Sequence, residues 1–157
     1  MAVQLLFPTL VYQARLPGWR RLNAPLLREC RQLRADDAAG RRWSQRNYPG
    51  GYTSYNSAHR MHRRSPTFAT LARELDRHVA KLARALQLDL TARPLGMTDC
   101  LASPPRGGAA GRGQRPWVTL RARAGELVLF ESWLRHEVAP HPLAAERVSI
   151  SFNYSWF

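Results

Sequence analysis

Lysine is almost missing from this chain. Of its 24 basic residues, Lys81 is the single Lys and the other 23 are Arg. Acidic residues are scarce as well, at 11, which leaves a formal net charge of +13 over 157 residues. Cysteine occurs twice, as Cys30 and Cys100, too few for a disulfide framework, so a reducing cytosol is the expected compartment. No apolar run approaches the roughly 18 residues of a membrane-spanning helix. The opening MAVQLLFPTLVYQARLPG has no basic leader before its apolar stretch and carries Pro8 inside it, which argues against a signal peptide. What remains is one domain's length with an apolar content of 45%, enough for one buried core.

The positive charge has two readings. A nucleic-acid or anionic-membrane partner is the functional one. The other is a genome whose codons favour Arg and Ala. A surface selected for charge alone has little reason to avoid Lys, so composition is the preferred explanation. Placement agrees with it. Residues 1–96 carry 17 basic and 6 acidic residues, and residues 97–157 carry 7 and 5.

Texture changes near the same point, from helical patterning to strand-like patterning. Residues 3–15 are rich in Val, Leu, Phe and Tyr and predict one or two short strands broken at Pro8. Asn23 before Ala24-Pro25 predicts a helix start, with Leu26, Leu27, Cys30 and Leu33 on its apolar side and a stop near Gly40. Residues 41–64 have no clear period and turn at Pro49-Gly50-Gly51. Their Tyr52, Thr53, Ser54, Tyr55, Asn56, His59 and His62 have the composition of a loop that lines a site, or of a solvated surface loop. Ser65-Pro66 opens the strongest predicted helix, whose Phe68, Leu71, Leu75, Val79, Leu82 and Leu86 form one apolar stripe. His78 borders that stripe and reads as structural. The Pro-, Gly- and Arg-rich segment 103–116 predicts a flexible loop. Strands are then predicted at 117–121, 126–131, 135–139 and 146–154.

The last of these alternates strictly. Arg147, Ser149, Ser151 and Asn153 fall on one face, and Val148, Ile150, Phe152 and Tyr154 on the other. His136 lies eleven positions before Arg147. A turn at Pro140-His141-Pro142 would pair the two strands as a hairpin and bring His136 beside Arg147. Imidazole is a good Fe(II) ligand and guanidinium binds carboxylate bidentately, so a short dicarboxylate could bridge a metal on His136 and Arg147, with Ser149 adding a hydroxyl.

The strand Gly125 to Phe130, then Ser132-Trp-Leu-Arg-His136, then Arg147-x-Ser149, resembles the C-terminal half of Fe(II)/2-oxoglutarate-dependent dioxygenases, and most closely a bacterial family of such oxygenases. The LFPTLVY start, the GGYTSY loop, the HRRSP helix start and the closing RVSISFNYSWF look like that family too, so the resemblance spans nearly the whole chain. It implies an α+β fold built on a double-stranded β-helix, or jelly roll, with two N-terminal helices packed outside. It implies Fe(II) and 2-oxoglutarate as cofactors, His136 as the distal iron ligand, and Arg147 with Ser149 on the far carboxylate of 2-oxoglutarate. The expected activity is oxidative hydroxylation of a substrate the sequence does not name.

One departure from the pattern is large. The family needs a His-x-Asp or His-x-His pair on an earlier strand to complete its facial triad. No His lies between His78 and His136. The segment Met97 to Cys100 runs directly into LASPPRGG, which looks like an internal deletion at Cys100-Leu101. Asp99, Cys100, His59, His62 and His141 do not have the spacing of the missing pair. The expectation is therefore a single oxygenase-like domain over 1–157, divided into strands and helices to 96, a loop over 97–116 and C-terminal strands over 117–157. Its jelly roll would be incomplete, its iron site impaired, and its exposed sheet edges prone to pairing as a homodimer. The alternative is a non-catalytic basic protein that binds nucleic acid through its Arg-rich helices and the 103–116 loop.

Overall fold

The computed structural model describes residues 9–47, 50–54, 57–103, 118–136, 138 and 146–157, with backbone alone at 101–103. The chain enters as a short strand, β1 (Tyr12–Arg15), and turns at Gly18, whose left-handed φ of 64° leads into helix α1 (Trp19–Asp36). This helix begins a full turn before the predicted Asn23 cap and carries Pro25 inside it. An interior proline removes a backbone hydrogen bond at a cost of about 3 kcal/mol. Against that cost, Leu22 extends the buried face of Leu26, Cys30 and Leu33 upstream by one turn. Burying such side chains contributes roughly 1.5–3 kcal/mol each, so the apolar stripe overrides the breaker.

Helix α2 (Ala38–Asn47) runs through Gly40, the predicted stop. Asp37 joins the two helices. Its backbone N–H closes α1 on the Leu33 carbonyl at 2.9 Å, and its Oδ1 accepts the Gly40 N–H at 2.7 Å, which caps α2. Tyr52 Oη donates to the Asp37 carboxylate at 2.8 Å, and the Ser57 hydroxyl donates to the same oxygen. Gly40 is required here for closeness of approach, because a Cβ on it would overlap Asp37 Oδ2.

A single turn, α3 (Met61–Arg64), precedes helix α4 (Pro66–Ala85). Here the expected cap forms. Ser65 Oγ accepts the Thr67 and Phe68 N–H groups at 3.1 and 3.2 Å and donates to Glu29 on α1. Phe68, Leu71 and Leu75 are almost fully buried, and Val79 and Leu82 pack beside them.

Three strands follow: β2 (Leu95–Ser103), β3 (Glu126–Leu129) and β4 (Ser149–Trp156). They form two separate antiparallel ribbons, β1 with β3 and β2 with β4. Neither closes into a barrel, so the expected jelly roll, complete or partial, is not the fold. The protein is mostly helical, with two small sheets laid on the helices. Jelly rolls of this kind need about eight strands. Within the predicted strand 117–121, residues 118–121 are irregular, and Val118 and Leu120 stand in solvent instead of packing on the core. Arg135, His136 and Val138 of the predicted strand 135–139 are irregular too. The 104–116 loop, the turns at Pro49 and Pro140-His141-Pro142, Pro8, Tyr55, Asn56 and Trp117 lie outside the described residues.

Residues 97–103 of the expected loop are instead part of β2, the longest strand among the described residues. Its inward residues are Met97 and Cys100, three apart, because a bulge between Met97 and Asp99 inserts Thr98. Opposite them stand Tyr154 and Phe152 of β4, whose alternation is the one the sequence predicts. The core lies between the helices α1, α3 and α4 and the inner faces of both ribbons, where Leu127 and Leu129 of β3 join Met97 and Cys100.

The Asp37 contacts generate a prediction. Gly40→Ala should lower stability by about 1–3 kcal/mol, since the new methyl must displace the Asp37 carboxylate. Chemical denaturation of the variant measures it, and an unchanged midpoint would refute the close-approach role.

Candidate functional site

The sequence nominated His136, Arg147 and Ser149. His136 follows β3 in an irregular segment, exposed, with Nδ1 at 3.2 Å from the Leu134 carbonyl and its ring 4.7 Å from the Phe130 ring. Arg147 precedes β4; its Nε is buried. Ser149 is the first residue of β4 and pairs with Ser103 of β2. Among the described residues β4 pairs with β2, and Arg135, His136 and Val138 are irregular and take no part in a ladder with it. Val148, Ile150, Phe152 and Tyr154 face the core, which leaves Ser151 and Asn153 exposed on the opposite side.

Two polar assemblies appear that the sequence did not isolate. One gathers α3, α4 and both strands of the second ribbon. Tyr154 Oη donates to Asp76 Oδ1 at 2.5 Å, and Thr98 Oγ1 donates to the Asn153 carbonyl at 3.2 Å. His62, on α3, feels the charges of Asp99 and Asp76, and its Nδ1 is buried with no hydrogen-bond partner among the described residues. Burial, with Arg63 and Arg60 nearby, holds its pKa below the usual histidine value despite those carboxylates. Burial and the bond to Asp76 push the Tyr154 phenol upward.

The other assembly is the Asp37 hub. Burial alone would raise the Asp37 pKa, but donation from Ser57, the Gly40 N–H and Tyr52, with Arg41 nearby, holds it below the usual carboxylate value. Tyr52, Thr53 and Ser54 are buried here, with the Thr53 N–H bonded to Ser44 Oγ at 3.0 Å. This part of the loop packs the chain instead of facing a substrate. His78 is likewise structural, at 2.7 Å from Tyr12 Oη across the α4–β1 contact.

Residues 76–153 match the family model described as "Putative 2OG-Fe(II) oxygenase". That oxygenase match starts on α4 at Asp76 and ends on β4 at Asn153, so it covers about half of the chain. It includes His136, Arg147 and Ser149, and leaves out β1 and helices α1 to α3. No curated protein matches the chain.

Oxygenases of this type hold Fe(II) with two imidazoles and a carboxylate on one face of the metal. Among the described residues, no group of three His, Cys, Asp or Glu side chains is placed to hold a metal ion. The described residues around His136 therefore do not supply the donor set of an Fe(II) centre, and no step is derived through one. Among the described residues there is also no helix long and apolar enough to cross a membrane.

The pKa directions give a pH prediction. His62 and His78 both bind protons more weakly folded than unfolded. Their contribution to stability is intact above about pH 6.5 and falls as pH drops through the lower folded values. Unfolding midpoints should therefore fall between about pH 7 and pH 5, less steeply in His62→Gln and His78→Gln. Equal slopes in all three proteins would refute it. A second prediction concerns the thiols. Burial pushes Cys30 up to about 11 and Cys100 up to about 12. Both should react with a thiol reagent at least roughly a hundredfold slower in the native protein than in denaturant, since the thiolate is the nucleophile. Comparable rates in the two states would contradict their burial.

Proposed function

We propose that this protein derives from the 2-oxoglutarate oxygenases and no longer turns over, with Arg147 and Ser149 kept as a weak dicarboxylate contact. One observation carries the reading. Within the matched residues 76–153 the imidazoles are those of His78, His136 and His141. His78 is held by Tyr12, and among the described residues the segment of His136 is irregular and does not pair with the strand following Arg147. A lone imidazole with water does not retain Fe(II) well.

The eleven-residue step from His136 to Arg147 and the Arg147-x-Ser149 pair support the descent from that family. An internal deletion at Cys100-Leu101 accounts for the missing ligand pair. In the folded chain β2 passes through that junction without a break, from Leu95 to Ser103. A cytosolic setting suits the two unpaired, buried thiols.

Calorimetric titration with Fe(II), with and without 2-oxoglutarate, tests the proposal directly. The expected result is no stoichiometric iron binding, no succinate on incubation with 2-oxoglutarate, and weak 2-oxoglutarate binding that disappears in Arg147→Ala. Stoichiometric Fe(II) binding abolished by His136→Ala would overturn it.

A further inference from the structure

We propose that the contact between His78 and Tyr12 is a pH-sensitive catch: it docks the β1–β3 ribbon on α4, and acid releases that ribbon while β2 and β4 stay paired. His78 lies on the buried side of α4 with 8% of its surface exposed. Its Nδ1 is 2.7 Å from Tyr12 Oη, and the two rings meet edge-on with centroids 5.7 Å apart. The first residue of β1 thus covers a buried titratable group on α4.

The ribbon is poorly able to stay in place without this contact. β1 and β3 have four residues each, against nine and eight in β2 and β4. A two-stranded ribbon of that size is not stable by itself in water. Among the described residues, its hold on the helices runs through Leu127 and Leu129, which enter the core, and through contacts at its two ends. At the Arg15–Glu126 end, the Trp19 ring of α1 packs on Gly125, where a Cβ would overlap it. At the Tyr12–Leu129 end, the polar tie is the Tyr12–His78 hydrogen bond. Short elements with few buried contacts are the ones that open first.

Protonation acts on this tie directly. A neutral imidazole bonds the phenol from Nδ1 in either direction, since the phenol both donates and accepts. An imidazolium must be hydrated or paired, and burial denies it water. The charged groups that act on His78 are Lys81 and Glu74, on its own helix, and the titratable group that faces it from β1 is Tyr12. Burial and then Lys81 disfavour the charged ring, and Glu74 does not make up for them, so the pKa lies below the usual histidine value. Undocking Tyr12 admits water, and the open ribbon then allows the proton that the docked one resists. Docking is therefore intact above about pH 6.5 and weakens as the pH falls below it. His62 sits apart from this contact, near the charges of Asp99, Asp76, Arg60 and Arg63.

Amide hydrogen exchange on the full chain at about pH 7 and pH 5 tests this, with rates corrected for the intrinsic effect of pH. It needs neither iron nor 2-oxoglutarate, so it stands or fails apart from the oxygenase proposal. The amides of Tyr12–Arg15 and Glu126–Leu129 should lose protection roughly tenfold on acidification, relative to those of β2 and β4. His78→Gln should flatten that pH response, and His62→Gln should leave it in place. Tyr12→Phe should speed exchange in the ribbon already at pH 7. The wild-type comparison depends on no variant folding. The proposal is overturned if the ribbon keeps its relative protection at pH 5, if both ribbons open together, if His78→Gln retains the full pH response, or if Tyr12→Phe exchanges like wild type at pH 7.

Discussion

The apolar face of α4 is the surface on which everything else in this protein is assembled. Phe68, Leu71 and Leu75 meet Leu26 and Cys30 of α1, Met97 and Cys100 of β2, and Leu127 and Leu129 of β3 in one cluster. Among the described residues neither ribbon has a third strand, and a two-stranded ribbon is at best marginally stable in water. Each therefore depends on the helix face for its existence. Among the described residues β4 has β2 as its one strand partner, and the segment that holds His136 adds no strand to that ribbon.

A second constraint works at the junction of α1 and α2. One carboxylate, Asp37, ends one helix, starts the next and receives the hydroxyls of Tyr52 and Ser57. In a chain of charge +13, a half-buried acceptor satisfied by neutral donors keeps its charge without calling on an arginine for every bond. The arginines are left for the surface, where Arg31, Arg77 and Arg123 meet carboxylates.

Some of this was legible in the sequence. Ser65-Pro66 and the stripe after it mark helix α4 because cap, proline and period all agree. The alternation of Val148 to Tyr154 likewise marks the inner face of β4. Where local signals conflict, the sequence misleads. Pro25 and Gly40 look like helix boundaries, but burial of Leu22 and the close approach to Asp37 outweigh them. The bulge at Thr98 shifts the inward residues of β2 from a two-residue to a three-residue step, so its period disappears. Strand pairing was the least legible feature. The eleven residues from His136 to Arg147 are compatible with a hairpin, but the partner of β4 is chosen by contacts more than 45 residues away, which no local pattern records.

The family likeness and the fold thus separate. The chain carries the residues that the oxygenase match spans on a mostly helical architecture whose two ribbons, among the described residues, do not close into a barrel. Nuclear Overhauser contacts along β4 test this account most directly. Cross-strand contacts from Phe152 to Cys100 and from Tyr154 to Met97, with none from Arg147 or Ser149 to Arg135 or His136, are the predicted result. Contacts linking Arg147 and Ser149 to the His136 segment would restore the hairpin and contradict it.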